Sequence, residues 1–219
     1  DADTGMAIGS QLPLIRACGR QAASTPFSPA CLLVVPKTSG AARLKSIQAA
    51  TRMLARRHEM DVFPADPATG PGVRRTLESG AAIVHLATHD ESRALLDDGS
   101  VPISRLGIDA GTWLAVLADA PVPASVPFAL CNAGCRAVVS QQFSLPPHLS
   151  SACTRALYKA LGSGASLAKA AVQMRLALQQ LTSDEDALWA APVVWSLPGM
   201  AGDECALRPF PPNLSRSTG

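Results

Sequence analysis

The run Ala81-Ala-Ile-Val-His85-Leu-Ala-Thr-His89-Asp90 constrains the fold more than any other stretch of this chain. It is short, almost wholly apolar, and ends in polar residues. Runs of about 4–8 apolar residues between turn signals suit strands buried on both faces, and such strands belong to parallel sheets covered by helices. In open sheets of that class, ligands and catalytic groups collect beyond the carboxyl ends of the strands. His89 falls where that rule places a working histidine. His85 falls inside the run, where a histidine is expected to be a satisfied core residue. A metal shared by the two is not expected. Histidines at i and i+4 face one ion on a helix, but along a strand they stand roughly 13 Å apart at about 3.3 Å per residue. Position 86 is also Leu, where the helical His-Glu-x-x-His motif needs Glu.

Similar apolar runs recur along the chain. Cys31–Val35, closed by Pro36, reads as the first firm strand, and Asp61–Phe63 as a short one. Trp113–Leu117, Arg136–Ser140 and Ala191–Ser196 follow, the last expected at a sheet edge because it contains Pro192. Amphipathic segments lie between them. One spans 43–58, with Leu44, Ile47, Thr51 and Leu54 on one face and a solvated row including Arg52 and Arg56 on the other. Thr69-Gly-Pro-Gly opens a short helix through Glu78, and another covers Val126–Ala133. Pro146-Pro147 start a helix with an apolar stripe from Leu149 to Leu161, stopped by Gly162. A further helix covers 166–181, with Leu167, Met174, Leu178 and Leu181 inward. Residues 90–111 are polar and Gly-rich, with a turn at Asp97-Asp-Gly99, and read as an active-site loop or a small excursion. The alternation predicts a three-layer α/β domain with a mostly parallel central sheet flanked by helices. It spans 31–199, after a linker or edge segment at 1–30 and before a Pro-rich tail at 200–219.

Composition narrows the function. With 219 residues, 47% of them hydrophobic, the chain can bury a sizeable core. Its net charge of +2 does not argue for nucleic acid or an anionic membrane as a partner. No apolar run reaches the roughly 18 residues that a spanning helix needs. The first residue is Asp and no signal peptide is visible, so the chain reads as part of something longer. The six cysteines form no Cys-x-x-Cys pair, which disfavours a zinc ribbon or a thioredoxin-like site. They read as reduced, buried thiols of a cytoplasmic protein. The Gly-x-Gly-x-x-Gly fingerprint, the Walker lysine motif and the Gly-x-Ser-x-Gly elbow are all missing, so neither a nucleotide site nor a serine hydrolase is expected. What remains is a cysteine–histidine site on neighbouring strand ends, with His89 as the base.

At this point the chain resembles a family. His85-Leu-Ala-Thr-His89, Leu117-Ala-Asp-Ala120, Asn132-Ala-Gly-Cys-Arg-Ala-Val-Val139, Leu157–Ala168 and Trp189–Gly199 occur in the order and spacing of the CHAT domain. That domain is a caspase-like peptidase related to separases, and the resemblance covers roughly residues 30–199. It implies a caspase-like α/β sandwich, a cysteine endopeptidase acting on a protein or peptide, and no cofactor or metal. It also implies a place in a larger, bacterial signalling or defence protein, with other domains or a regulatory partner nearby. His89 takes the place of the catalytic base and Ala120 that of the nucleophilic Cys. Two departures matter. Alanine cannot form a thioacyl intermediate, and Asp90 stands where the family usually has a Gly whose N–H helps form the oxyanion hole. Ala120 fits either an engineered Cys→Ala change or a natural pseudoprotease that serves as an interaction module. Asp119 and Asp90 are candidate contacts for a basic substrate residue, since a carboxylate pairs well with Arg. Cys131 and Cys135, the alternative nucleophiles, read instead as structural thiols.

Overall fold

The computed structural model describes residues 15–17, 30–36, 41–65, 67–90, 92–182 and 187–197. The expected tail at 200–219, the Asp184–Asp186 loop and most of segment 1–30 lie outside the described residues.

Nine strands and five α-helices account for most of the described chain. In chain order they are β1 (Ile15–Ala17), β2 (Ala30–Val34), α1 (Ala41–His58), β3 (Asp61–Pro64), α2 (Gly70–Glu78), β4 (Ile83–Asp90), β5 (Arg93–Leu96) and β6 (Gly99–Pro102). After these come β7 (Leu114–Ala118), α3 (Ser125–Asn132), β8 (Ala137–Gln141), α4 (Pro147–Gly162), α5 (Leu167–Gln179) and β9 (Pro192–Ser196). The central sheet has the order β1-β9-β8-β7-β4-β2-β3. Strands β3, β2, β4, β7 and β8 run parallel, and β9 returns antiparallel to β8.

Alternation along each strand builds two separate cores. Leu33, Ile83, Val116 and Val139 face α1, α4 and α5. Their neighbours Leu32, Val84, Leu117 and Val138 face the opposite layer, where Val73 and Leu77 of α2 and Leu130 of α3 cover them. Every residue of β2, β7 and β8 is buried, as expected of strands covered on both faces. Each fully buried Leu, Ile or Val side chain contributes about 1.5–3 kcal/mol.

Two expectations need correction. Strand β9 is not an edge strand, because β1 pairs with it through Ile15↔Val194 and Ala17↔Ser196. Pro192 is tolerated because it is the first residue of β9 and lies beyond the part that β1 pairs. Leu181 is 57% exposed, since α5 ends at Gln179 and the helical stripe does not continue to it. Gly162 ends α4 as expected, and it is also a close-contact residue. A Cβ there would lie 2.9 Å from the Leu54 backbone nitrogen of α1, so only glycine lets the two helices approach this far.

Residues 90–111 include a hairpin. Strand β4 runs past its parallel neighbours and pairs antiparallel with β5, which pairs with β6. The turn carboxylates tie the hairpin to the start of α2. Asp97 Oδ2 accepts from the Ala68 N–H at 2.7 Å, and Asp98 accepts from the Gly70 N–H at 3.0 Å. A carboxylate at a helix N-terminus is favourably placed against the helix dipole.

Candidate active site

Strands β4 and β7 are hydrogen-bonded neighbours, paired from Ile83↔Leu114 to Ala87↔Ala118. His89 and Ala120 each lie two residues beyond the last of these pairs, so both fall at the carboxyl edge of the sheet. The β4–β5 register shifts between Thr88 and Asp90, leaving His89 as the extra residue on β4. Bulges of this kind are over-represented at sheet edges and next to active sites. Asp90 is the last residue of β4 and pairs with Arg93 through the backbone.

The segment after β7 is held by Thr88. Its hydroxyl accepts from the Ala120 N–H at 2.9 Å. The Ala118 carbonyl and, at 3.0 Å, the Ala120 carbonyl both lie within reach as acceptors for its single proton. Between the two, Asp119 adopts φ +92°, a conformation that costs a non-glycine residue of order 1–3 kcal/mol. Asp119 is half-buried, and its Oδ1 accepts from the Ser150 hydroxyl at 3.2 Å. Ser150 sits in the first turn of α4 and also accepts from Gln141 Nε2, at 3.5 Å. Gln141 is the last residue of β8. One polar chain therefore joins the ends of β7 and β8 and the start of α4 under position 120. A void of about 10 Å³ beside it, lined in part by Ala118, Gln141 and Cys153, has room for roughly one water.

His85 is fully buried, and its Nδ1 lies 2.9 Å from the Tyr158 hydroxyl of α4. Burial, with the neighbouring Cys31 thiol second, pushes the Tyr158 phenol well above its ordinary range, so it stays protonated. That gives His85 the structural role expected of it. Cys131 and Cys135 are buried too, and the Cys135 thiol donates to the Ala137 carbonyl at 3.2 Å. Both lie before β8, at the opposite end of the sheet from Ala120. Among the described residues, no group of three or more His, Cys, Asp or Glu side chains is placed to hold a metal ion. Nor is any described helix long and apolar enough to cross a membrane.

The topology gathers the candidates His89, Asp90, Asp119 and Ala120 at the ends of two adjacent strands. Sequence reasoning missed Thr88, Ser150 and Gln141. Thr88 had a signal, as a hydroxyl inside an apolar run next to the predicted base. Ser150 and Gln141 had none, because their partners lie on other elements.

No family model matches the chain, and no curated protein matches it in sequence. A comparison with solved structures does find a neighbour, the separase–securin complex of Saccharomyces cerevisiae. It superposes with a TM-score of 0.51 at 10% identity, covering 85% of this chain and 12% of that chain. The fold is caspase-like. At this identity the likeness concerns the architecture alone, a mostly parallel sheet between helical layers. Within the caspase-like frame, position 120 carries a methyl group and an amide bonded to Thr88.

Proposed function

We propose that this caspase-like domain, with alanine at position 120, binds a protein segment at the carboxyl ends of β4 and β7 without cleaving it. One observation carries the reading: position 120 has no nucleophile, and its N–H is donated to the Thr88 hydroxyl at 2.9 Å. A cysteine peptidase needs a thiolate there and N–H donors aimed at the developing oxyanion. Asp90, in place of the family's Gly, works in the same direction. Asp119 and Asp90 are the groups proposed to contact a basic residue of the bound segment.

A second reading is a CHAT-type cysteine endopeptidase that lacks only its thiol. The placement of His89 and Ala120, each two residues beyond the last β4–β7 pair, favours it. A thiolate introduced at position 120 would attack the peptide carbonyl and His89 would protonate the leaving amine.

Ala120→Cys decides between the two. The unsubstituted chain, A120C and A120C/H89A are incubated with a diverse peptide pool and with candidate partner proteins. Peptides retained by the unsubstituted chain and left intact by all three proteins support the binding module. Cleavage by A120C that H89A abolishes supports the endopeptidase and overturns the first reading. A pool that is neither retained nor cut sinks both.

A further inference from the structure

Helices α1, α4 and α5 form one continuous layer on a single face of the sheet. Together they contain nine Lys and Arg residues, of which Arg175 is buried, and no Asp or Glu. The whole chain is nearly balanced, with 19 basic and 17 acidic residues, so this is a matter of placement and not of net charge. Helix surfaces ordinarily intersperse both signs, because opposite charges at i,i+4 stabilise a helix and like charges there destabilise it. Here Arg52 and Arg56, and likewise Arg155 and Lys159, are exposed like-charged pairs at that spacing. Folding alone does not favour such an arrangement, whereas an anionic partner would relieve it.

The same layer has a groove. It lies between α4 and α5, encloses about 510 Å³, and has Ala156, Ala160, Ala177 and Leu176 among its lining residues. Lys159 and Lys169 also line it, one from each helix, and both are exposed. Ala and Leu side chains beside Ser163, Gln173 and Gln180, with a cation on either helix, suit a ligand that is amphipathic and acidic on its flanks. A nucleic acid could also pair with the lysines, but no aromatic ring lines the groove for bases to stack on. A bilayer would need an apolar face that projects, and this one is concave.

We infer that the α4–α5 groove is a docking site for an acidic amphipathic segment of a partner protein, its apolar residues in the groove and its carboxylates on Lys159 and Lys169. The surface is separate from the strand ends and does not depend on what happens at position 120. The binding mode is that of an amphipathic helix in a groove, with anchors at i, i+3, i+4 and i+7.

The test uses a fluorescein-labelled synthetic peptide of about 16 residues, with Leu at those anchor positions and Glu elsewhere. Fluorescence anisotropy is read against the full chain at low and high salt. Expected are saturable binding that weakens with salt, and a loss of about tenfold or more in K159E/K169E. A loss of similar size is expected when the peptide's Leu residues become Ser, while K45E, on α1 and outside the groove, stays within about threefold. Circular dichroism and melting check that the double variant folds, and K159Q/K169Q gives a milder second reading of the same direction. Three results overturn the inference: no saturable binding, binding indifferent to the lysine changes, or tighter binding of a single-stranded oligonucleotide or phosphatidylserine vesicles.

Discussion

The Thr88 hydroxyl and the Ala120 amide are hydrogen-bonded at 2.9 Å, joining the end of β4 to the turn that follows β7. The contact crosses from one parallel strand to the turn that leaves its neighbour. It fixes where position 120 lies relative to the end of β4 and engages the Ala120 N–H.

Thr88→Val removes that hydroxyl and keeps the shape. The Ala120 N–H and the Ala118 carbonyl lose a partner in a largely dry setting, which costs roughly 1–3 kcal/mol. Urea unfolding should show this loss, and Thr88→Ser should recover most of it. Equal stability of Val and wild type would mean that water replaces the hydroxyl and the turn is not held here.

Asp119 combines a strained backbone with a useful side chain. Asp119→Gly relieves the positive φ by about 1 kcal/mol but gives up the Ser150 contact. The two effects separate in a Ser150→Ala background, where that contact is already absent. There the Gly substitution should be more favourable than in the wild-type background by the worth of that contact, about 0.5–1.5 kcal/mol. A coupling near zero in this double-mutant cycle would dismiss the bond.

Tyr158→Phe leaves the buried His85 Nδ1 without its phenol partner. The expected cost is roughly 1–3 kcal/mol, seen as a lower Tm. His85→Phe in the same background should recover part of it, because removing both polar groups costs less than removing one. A Tyr158→Phe protein that melts with wild type would show the pair to be incidental.

Burial pushes the Cys31 and Cys153 thiols from 9.0 up to about 12. The folded state therefore keeps both protonated while the unfolded chain ionises above pH 9. Their contribution to stability is fully present below pH 9 and falls as pH rises toward 12, by about 1.4 kcal/mol per pH unit per thiol. At pH 8 a thiol reagent such as DTNB should leave the four buried cysteines, Cys31, Cys131, Cys135 and Cys153, unreacted until the protein is denatured. Rapid modification of Cys31 or Cys153 in the native protein would contradict this.

The parallel strands and the helices between them were legible because their apolar periods are long and cleanly bounded. The strand ends that carry His89 and Ala120 were legible for a related reason: where an apolar run turns polar, a buried strand ends. Only the resemblance to the CHAT domain singled out position 120 itself. The β5–β6 hairpin was harder to see, since Arg93-Ala-Leu-Leu is four residues long and carries only two inward positions, Ala94 and Leu96. The interior position of β9 was hidden by Pro192, whose meaning depends on how far the neighbouring strand extends. Gly162 reads as a helix stop in sequence, and only the approach of α1 shows its second role. The Thr88, Ser150 and Gln141 contacts are tertiary and leave no local pattern.

Strand β1 has a consequence for the order of assembly. Its three residues pair with Val194–Ser196, so the contact closes a loop that includes nearly every other element. The entropy of closing so long a loop must be met before its few hydrogen bonds form, which makes this pairing a late event in folding. The parallel strands from β2 to β8 can find one another through short helical crossovers well before then. In the native state the same asymmetry runs in reverse: the Ile15–Ala17 amides should exchange with solvent first, and those of β4 and β7 only on global unfolding.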